Sequence, residues 1–240
     1  SAGLLGRQPD EVIYWQLAEK IRRAINDKYL NQETGVYASG TQTELSMPLI
    51  WGVVPDSLTG KVARRLAERV EADGNHIDVG VLGAKAILNA LSEYGYADLA
   101  YRLASNDDYP SWGAWIKAGA TTLLENWDLQ ATRDISDNHM MFGEIGAWFF
   151  KTLGGIKPDD SRPGFKHVFF EPHFVEGLDH VEANFDGPHG RITSKWQKKG
   201  RHVDIELVIP ANSTGTLILP DAQRHELPSG RHRFTWRARR

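Results

Sequence analysis

The chain has 240 residues, of which 41% are hydrophobic and 25% are charged, and it contains eight Trp but no cysteine. This much apolar material excludes a mainly disordered chain. The 28 Lys and Arg against 31 Asp and Glu exclude a strongly basic nucleic-acid-binding protein. The lack of cysteine excludes disulfides and thiolate chemistry. We therefore expect no nucleic-acid partner, because the chain has no surplus positive charge to neutralise phosphates. No apolar run approaches the roughly 20 residues of a membrane helix, so we also expect no membrane partner.

The chain changes character near residue 156. Residues 1–156 hold 14 basic and 20 acidic side chains, whereas residues 157–240 hold 14 basic and 11 acidic side chains and seven of the nine His. The segment Gly154-Gly155-Ile156-Lys157-Pro158 also separates helical periodicity from two-residue alternation. We therefore predict one domain over 1–156 and a second over 157–240.

Residues 1–156 are predicted to be helical. Apolar side chains recur at three- and four-residue spacing in about six segments. These segments are roughly 10–29, 45–54, 55–73, 79–94, 96–104 and 137–153. The last segment is predicted to begin near Asp137, with Asp137 or Asn138 as the N-cap, and to place Phe142, Ile145, Phe149 and Leu153 inward.

Residues 157–240 are predicted to form strands. Residues 203–209 place apolar side chains at every second position, and residues 231–236 alternate in the same way. Turn pairs such as Asp186-Gly187 and Ser229-Gly230 bound short strands at the intervals of an antiparallel β-sandwich. The predicted fold class is therefore mainly α with a β domain, in which helices come first and strands follow.

The stretch richest in chemical groups is 109–128, which holds three Trp and two carboxylates in a loop-rich region. Loops on a rigid scaffold are where binding groups concentrate. The faces of Trp112 and Trp127 can stack on sugar rings, and a nearby carboxylate can activate water. The alternative, which composition alone favours, is that these Trp side chains only pack the core.

Four polar groups near the predicted helix starts are further candidates. Glu125, which follows two leucines, is either a proton-transfer group or a paired carboxylate at a helix start. His139 either bonds a substrate hydroxyl or is a structural histidine. His76 and Asp78 head the 79–94 helix in the same way, and helix capping by Asp78 is the simpler interpretation. The sequence contains no His-x-x-x-His or His-Glu-x-x-His metal motif, and we expect no metal and no cofactor.

Seven short motifs follow one another in a fixed order. They are GVYASGTQT at 35–43, GVVP at 52–55, GNHIDVGVLG at 74–83, LSEYGYADLAY at 91–101, YPSWG at 109–113, GATTLLENW at 119–127 and NHMMFGEIGAW at 138–148. Each motif is weak alone, but the ordered set resembles the C-terminal part of the α-L-rhamnosidases of glycoside hydrolase family 78. The segments 187–196 and 209–216 are similar to the terminal β-sandwich of that family.

The resemblance implies hydrolysis of terminal α-linked L-rhamnose with inversion, in an (α/α)6 barrel. It implies that Glu125 is the general base and that His139, with Asn138, contacts the sugar. Trp112 and Trp127 would shape the apolar side of the pocket, and His76 and Asp78 are weaker substrate-binding candidates. The chain departs from the family pattern at Leu124, where Trp is common, and at 76–79, where His-Leu-Thr-Thr is more usual.

The general acid of an inverting glycosidase has no counterpart in this sequence. Inversion needs a second carboxylic acid about 6.5–9.5 Å from the base, and the family keeps it in an upstream acidic motif that is missing here. Asp128 and Asp134 lie too close to Glu125 in sequence to be placed across a sugar. Six helices are also half of the twelve in a complete barrel. We therefore expect a fragment of a longer enzyme, inactive by itself, whose uncovered barrel surface favours self-association.

Two alternatives stay open at this point. One is a different (α/α)6 glycosidase that acts on another deoxy or neutral sugar. The other is a non-catalytic carbohydrate-binding or structural module. Selectivity for rhamnose separates these interpretations, because the C6 methyl group of rhamnose needs an apolar wall where other sugars present a hydroxyl. The expected partner is a rhamnose-containing glycoside or polysaccharide, and the compartment, cytoplasmic or exported, stays open.

Overall fold

The computed structural model describes residues 2–133 and 136–237. In these residues the first part of the chain forms seven α-helices. They are α1 (Gln8–Tyr29), α2 (Gln42–Ile50), α3 (Thr59–Ala72), α4 (Val81–Glu93), α5 (Ala97–Ser105), α6 (Trp112–Lys117) and α7 (Glu144–Trp148). Three 3-10 turns lie at Gly3–Leu5, Asp56–Leu58 and Met140–Gly143, and a small hairpin, β1 (Leu30–Asn31) and β2 (Val36–Tyr37), follows α1. None of the described helices combines the length and apolar character that crossing a membrane requires.

Helices α2 to α5 share one apolar core. In α3, Val62, Leu66 and Val70 are fully buried at four-residue spacing, as the periodicity predicts. Helix α2 begins earlier than predicted because a capping box fixes its first turn. In that box Thr41 Oγ1 accepts from the backbone N–H of Glu44, and the Glu44 carboxylate accepts from the N–H of Thr41. The hydrogen bond from the Thr41 backbone lowers the pKa of Glu44.

The last predicted helix is divided into three parts. It starts as the 3-10 turn at Met140, continues as α7, and ends in a π-helical turn at Phe149–Leu153. His139 is the N-cap, since its ring nitrogen accepts from the N–H of Met141, so the prediction that Asp137 or Asn138 caps the helix is wrong. Phe149 is 43% exposed rather than inward, because a π-turn shifts the phase of the helical faces.

The second part of the chain forms two four-stranded sheets. The strands are β3 (Ile156–Pro158), β4 (His167–Phe170), β5 (His180–Gly187), β6 (Gly190–Lys199), β7 (His202–Ile209), β8 (Thr214–Ile218), β9 (Arg224–Leu227) and β10 (Gly230–Arg237). One sheet has the order β10-β7-β6-β5 and is antiparallel throughout, and the other has the order β3-β4-β8-β9.

The sandwich departs from a purely antiparallel arrangement at one pair. Strands β4 and β8 run parallel, because the chain leaves β4, builds β5 to β7 in the opposite sheet, and then returns to β8. The predicted alternation of 203–209 is correct, since Val203, Ile205, Leu207 and Ile209 are all buried. The predicted fold class, helices followed by a β-sandwich, is confirmed.

Helix α1 differs from the other long helices because none of its residues is buried. Ile25 packs partly against the helical core, and the Asn26 side-chain amide donates to the carbonyl of Val53 over 2.9 Å. Toward its start the helix carries a continuous set of exposed apolar side chains, with Trp15 71% exposed. This apolar surface of α1 consists of Val12, Ile13, Tyr14, Trp15, Leu17 and Ile21.

The helical part and the sandwich meet in a close junction. The indole N–H of Trp196, in the core of the sandwich, donates to the carbonyl of Leu153 over 2.7 Å. The backbone N–H of Glu176 donates to the Asp98 carboxylate on α5 over 2.8 Å. Between them Gly155 has φ +71°, and a Cβ at this position would lie 2.2 Å from the nitrogen of Pro172, so only glycine fits.

Candidate active site

Two irregular segments, 122–125 and 136–139, lie side by side. The N–H of His139 donates to the carbonyl of Leu123 over 2.7 Å, and the N–H of Glu125 donates to the carbonyl of Ser136 over 2.9 Å. The hydroxyl of Thr122 donates to the carbonyl of Asp137. We call this arrangement the paired loop. These bonds bring Glu125 and His139 together.

The Glu125 carboxylate and the His139 imidazole form the chemical centre of the paired loop. Glu125 Oε1 lies 3.7 Å from His139 Nε2, and the two side chains are 24% and 25% exposed. His139 Nδ1 accepts from the N–H of Met141 over 3.3 Å, so in the neutral ring the proton sits on Nε2 and faces Glu125. Since 3.7 Å is too long for a direct hydrogen bond, a proton acceptor and a donor stand next to each other without being bonded.

An aromatic cluster lies close in sequence to this pair and consists of Trp112, Trp115, Trp127 and Phe142. Trp127 stacks on Trp115 at 4.5 Å between ring centroids and meets Trp112 and Phe142 edge-on at 5.1 and 4.8 Å. Trp112 is 5% exposed and donates its indole N–H to the carbonyl of Phe142, whereas Trp127 is partly exposed. Trp112 therefore packs in the core, as the alternative interpretation predicts. Trp127 packs against the cluster on one side and is partly open to solvent on the other.

Asn138 directly precedes His139 in the paired loop. Asn138 is exposed, and its backbone N–H donates to the hydroxyl of Ser136 over 3.4 Å. Asp128 is also exposed, and Asp134 lies outside the described residues. Among the residues that the structure describes, no group of three His, Asp or Glu side chains is placed to hold a metal ion.

His76 and Asp78 belong to a loop that is held by a residue the sequence did not single out. The side-chain amide of Gln42 is fully buried, donates to the carbonyl of His76 and accepts from the N–H of Asp78, each over 2.9 Å. Asp78 does not cap α4, whose N-cap is Gly80 and has no side-chain bond. This loop reaches the aromatic cluster through the indole N–H of Trp127, which donates to the carbonyl of Val79 over 2.7 Å.

Ser136 is the second residue that the sequence analysis missed. Its N–H donates to Glu125 Oε2 over 3.2 Å, while its carbonyl accepts from the N–H of Glu125. Both contacts are made by backbone groups, which leave no signature in the residue type. For Gln42 a signal did exist, because it is the polar centre of the GTQT part of the first motif.

The described part of the chain combines an α-helical region, whose loops bring Glu125 and His139 together, with a following β-sandwich. The model of the bacterial α-L-rhamnosidase six-hairpin glycosidase domain matches residues 1–153. The model of the bacterial α-L-rhamnosidase C-terminal domain matches residues 155–234. The chain belongs to the bacterial α-L-rhamnosidase family, and the resemblance predicted from the seven ordered motifs is confirmed.

Individual relatives agree with this assignment. An α-L-rhamnosidase of Streptomyces avermitilis is 30% identical over 94% of this chain, which corresponds to 24% of that protein. The structure of an α-L-rhamnosidase from Dictyoglumus thermophilum superimposes with a TM-score of 0.90 at 30% identity, over 99% of this chain and 30% of that one. The structure of the Streptomyces avermitilis α-L-rhamnosidase complexed with L-rhamnose gives a TM-score of 0.89 at 29% identity, over 98% and 25%. The chain spans about a quarter of the length of the curated relatives it matches.

Proposed function

We propose that this chain is the C-terminal part of a longer α-L-rhamnosidase, which releases terminal L-rhamnose from a rhamnose-containing glycoside or polysaccharide. The family membership supports this proposal, because both family models are named for α-L-rhamnosidases. The similarity to a structure that contains L-rhamnose supports the choice of sugar over other six-hairpin substrates. We propose the domain limits 1–156 and 157–240 for the barrel part and the sandwich.

Glu125 is the general base in this proposal. Its carboxylate takes a proton from water as the water oxygen bonds to the anomeric carbon of rhamnose. The bond from that carbon to the leaving oxygen breaks at the same time, and a carboxylic acid outside this chain protonates the leaving oxygen. The reaction therefore inverts the configuration at the anomeric carbon.

His139 binds the sugar in this proposal. Because its Nδ1 already accepts from Met141, the N–H at Nε2 is the group available to donate to a rhamnose hydroxyl. The exposed amide of Asn138 supplies a second contact. The open side of Trp127 faces the apolar side of the sugar, and Trp112 supports Trp127 from within the core. His76 and Asp78 contribute from the neighbouring loop.

The observation that carries the proposal is the position of Glu125 Oε1, 3.7 Å from a histidine donor in a partly open loop. In the longer protein, we expect Glu125→Gln to keep the shape of the site but lower kcat on an aryl α-L-rhamnoside about 10²–10⁴-fold, since the amide cannot accept the proton. NMR of the first-formed product should show the β-anomer of rhamnose.

Three outcomes would contradict parts of this proposal. A Glu125→Gln rate within threefold of the original removes Glu125 from the mechanism. An α-anomer formed first overturns inversion. Binding of L-rhamnose without turnover by the longer protein favours a non-catalytic carbohydrate-binding module instead.

A further inference from the structure

The two carboxylate oxygens of Glu125 have different surroundings. Oε2 accepts from the backbone N–H of Ser136 over 3.2 Å, whereas Oε1 faces His139 Nε2 at 3.7 Å without a direct bond. Among the described residues, the N–H of Ser136 is the one hydrogen-bond donor to this carboxylate. One oxygen is therefore anchored to the protein and the other is left available.

Ser136 also fixes the main chain of the same glutamate. Its carbonyl accepts from the N–H of Glu125 over 2.9 Å, so a single residue holds Glu125 at both its backbone and the end of its side chain. A partly exposed glutamate with three rotatable bonds otherwise samples several rotamers and interchanges its two oxygens. A general base works only when its basic oxygen stays within reach of the proton, and a misplacement of about 1 Å costs on the order of 100-fold in rate.

We propose that Ser136 is a positioning residue, whose backbone N–H holds Oε2 of Glu125 so that Oε1 is the oxygen that takes the proton from water. This inference rests on the proposed function of Glu125 as the base. The serine hydroxyl has a separate contact, since its Oγ accepts from the N–H of Asn138 over 3.4 Å. The positioning group is therefore the amide and not the side chain.

The test compares a variant that keeps the amide N–H of residue 136 with one that lacks it. Ser136→Ala keeps the N–H, and Ser136→Pro removes it while leaving the carbonyl that accepts from Glu125. In the longer protein, we expect kcat on an aryl α-L-rhamnoside to be about 10–100-fold lower for the proline variant than for the alanine variant. The KM values should stay within about threefold of each other, because the sugar contacts are unchanged.

A second pair of proteins removes the influence of the proline ring. Lactic acid, incorporated at position 136 by nonsense suppression, replaces the N–H of the Ser136→Ala protein with an ester oxygen and keeps its side chain. We expect the same loss of kcat for this ester. An ester protein with kcat within threefold of Ser136→Ala overturns the proposal, whether or not the proline variant folds.

A structural control lies in the same paired loop. Thr122→Val removes the bond from the Thr122 hydroxyl to the carbonyl of Asp137 but leaves the Ser136 amide on Glu125. If Thr122→Val lowers kcat as much as the ester does, or if the ester raises KM in proportion, the amide only maintains the loop and the proposal is wrong. Glu125→Gln separates the two levels. If the Glu125→Gln protein keeps its kcat, the proposed function fails. If Glu125→Gln lowers kcat but the ester protein is as active as Ser136→Ala, only the positioning role of Ser136 is refuted.

Discussion

At the scale of single residues, His139 combines two tasks in one ring. Nδ1 caps the 3-10 turn at Met140–Gly143 by accepting from the N–H of Met141, and Nε2 faces Glu125. Most N-caps are short side chains such as Ser or Asn, which keep their polar atoms close to the helix end. An imidazole places an acceptor and a donor on opposite sides of one rigid group. The cap therefore fixes both the orientation and the tautomer of the donor that faces the site.

We predict that the two tasks of His139 can be separated by substitution. His139→Ala should cost about 1–3 kcal/mol in kcat/KM of the longer protein, because it removes the proposed donor to the sugar. It should also lower the stability of the 240-residue chain by about 0.5–2 kcal/mol, because it removes the cap. His139→Asn keeps a capping acceptor, so we expect it to recover stability in thermal unfolding but not kcat/KM. Unchanged kcat/KM in both variants would show that His139 is only structural.

At this scale a side-chain group can be predicted from the residue type, whereas a backbone group cannot. Glu125 and His139 face each other through their side chains, and their motifs singled out both residues from the sequence. The contribution of Ser136 comes from a backbone N–H, which every residue except proline possesses. Its position depends on how 122–125 pairs with 136–139, and neither segment has the periodicity of a strand.

At the scale of elements, the accuracy of prediction followed the length of the repeating pattern. Strand β7 and helix α3 have several repeats of an apolar position and were predicted well. Helix α6 has only six residues, and it was missed because its stability comes from a Ser111 cap and from burial of Trp112 and Trp115. The division of the last helix into 3-10, α and π parts was also missed, since periodicity does not distinguish these forms.

Gln42 links three elements, and we predict that its loss destabilises the loop before α4. Gln42→Leu leaves the carbonyl of His76 and the N–H of Asp78 without their partner, and the carboxylate of Asp73 loses a 2.9 Å bond. We expect the free energy of unfolding of the 240-residue chain to fall by about 1–3 kcal/mol in urea titrations. Gln32→Leu, at an exposed position, serves as the matched control. Equal stability of the two variants would mean that the Gln42 bonds are replaced by water at no cost.

At the scale of the whole molecule, the apolar surface of α1 is exposed to solvent in the 240-residue chain. Six large apolar side chains on one helix are about half exposed or more, which is unusual for a helix in water. The helical periodicity of this segment was predictable from the sequence. An uncovered barrel surface was expected, but its location on α1 was not, because periodicity reports which residues share a face and not what covers that face.

We predict that the isolated 240-residue chain self-associates and does not hydrolyse rhamnosides. Light scattering after size-exclusion chromatography should give a mass above 26.9 kDa. Trp15→Glu with Ile21→Glu should shift the chain toward the monomer, because the charges interrupt the apolar surface. Ile116→Glu, on another exposed apolar residue, should not.

Two results would contradict this prediction. One is that the unsubstituted 240-residue chain is a monomer at the concentrations at which the substituted chains are also monomers. The other is turnover of an aryl α-L-rhamnoside near 1 s⁻¹, the low end of typical enzymes, that Glu125→Gln abolishes. The second result would place both carboxylates of the reaction within these residues.

The junction at Leu153 to Gly155 has a consequence for anyone who exchanges parts between related proteins. The carbonyl of Leu153 is satisfied by an indole that lies more than forty positions later, in β6. Gly154 and Gly155 are needed because Ala183 and Pro172 lie where their side chains would be, at 2.7 and 2.2 Å from an added Cβ. A recombination point placed between the last helix and the first strand therefore divides one fitted unit. A graft that brings a foreign sandwich has to bring a tryptophan equivalent to Trp196 and to keep both glycines, or the end of the segment that begins at His139 loses its partner.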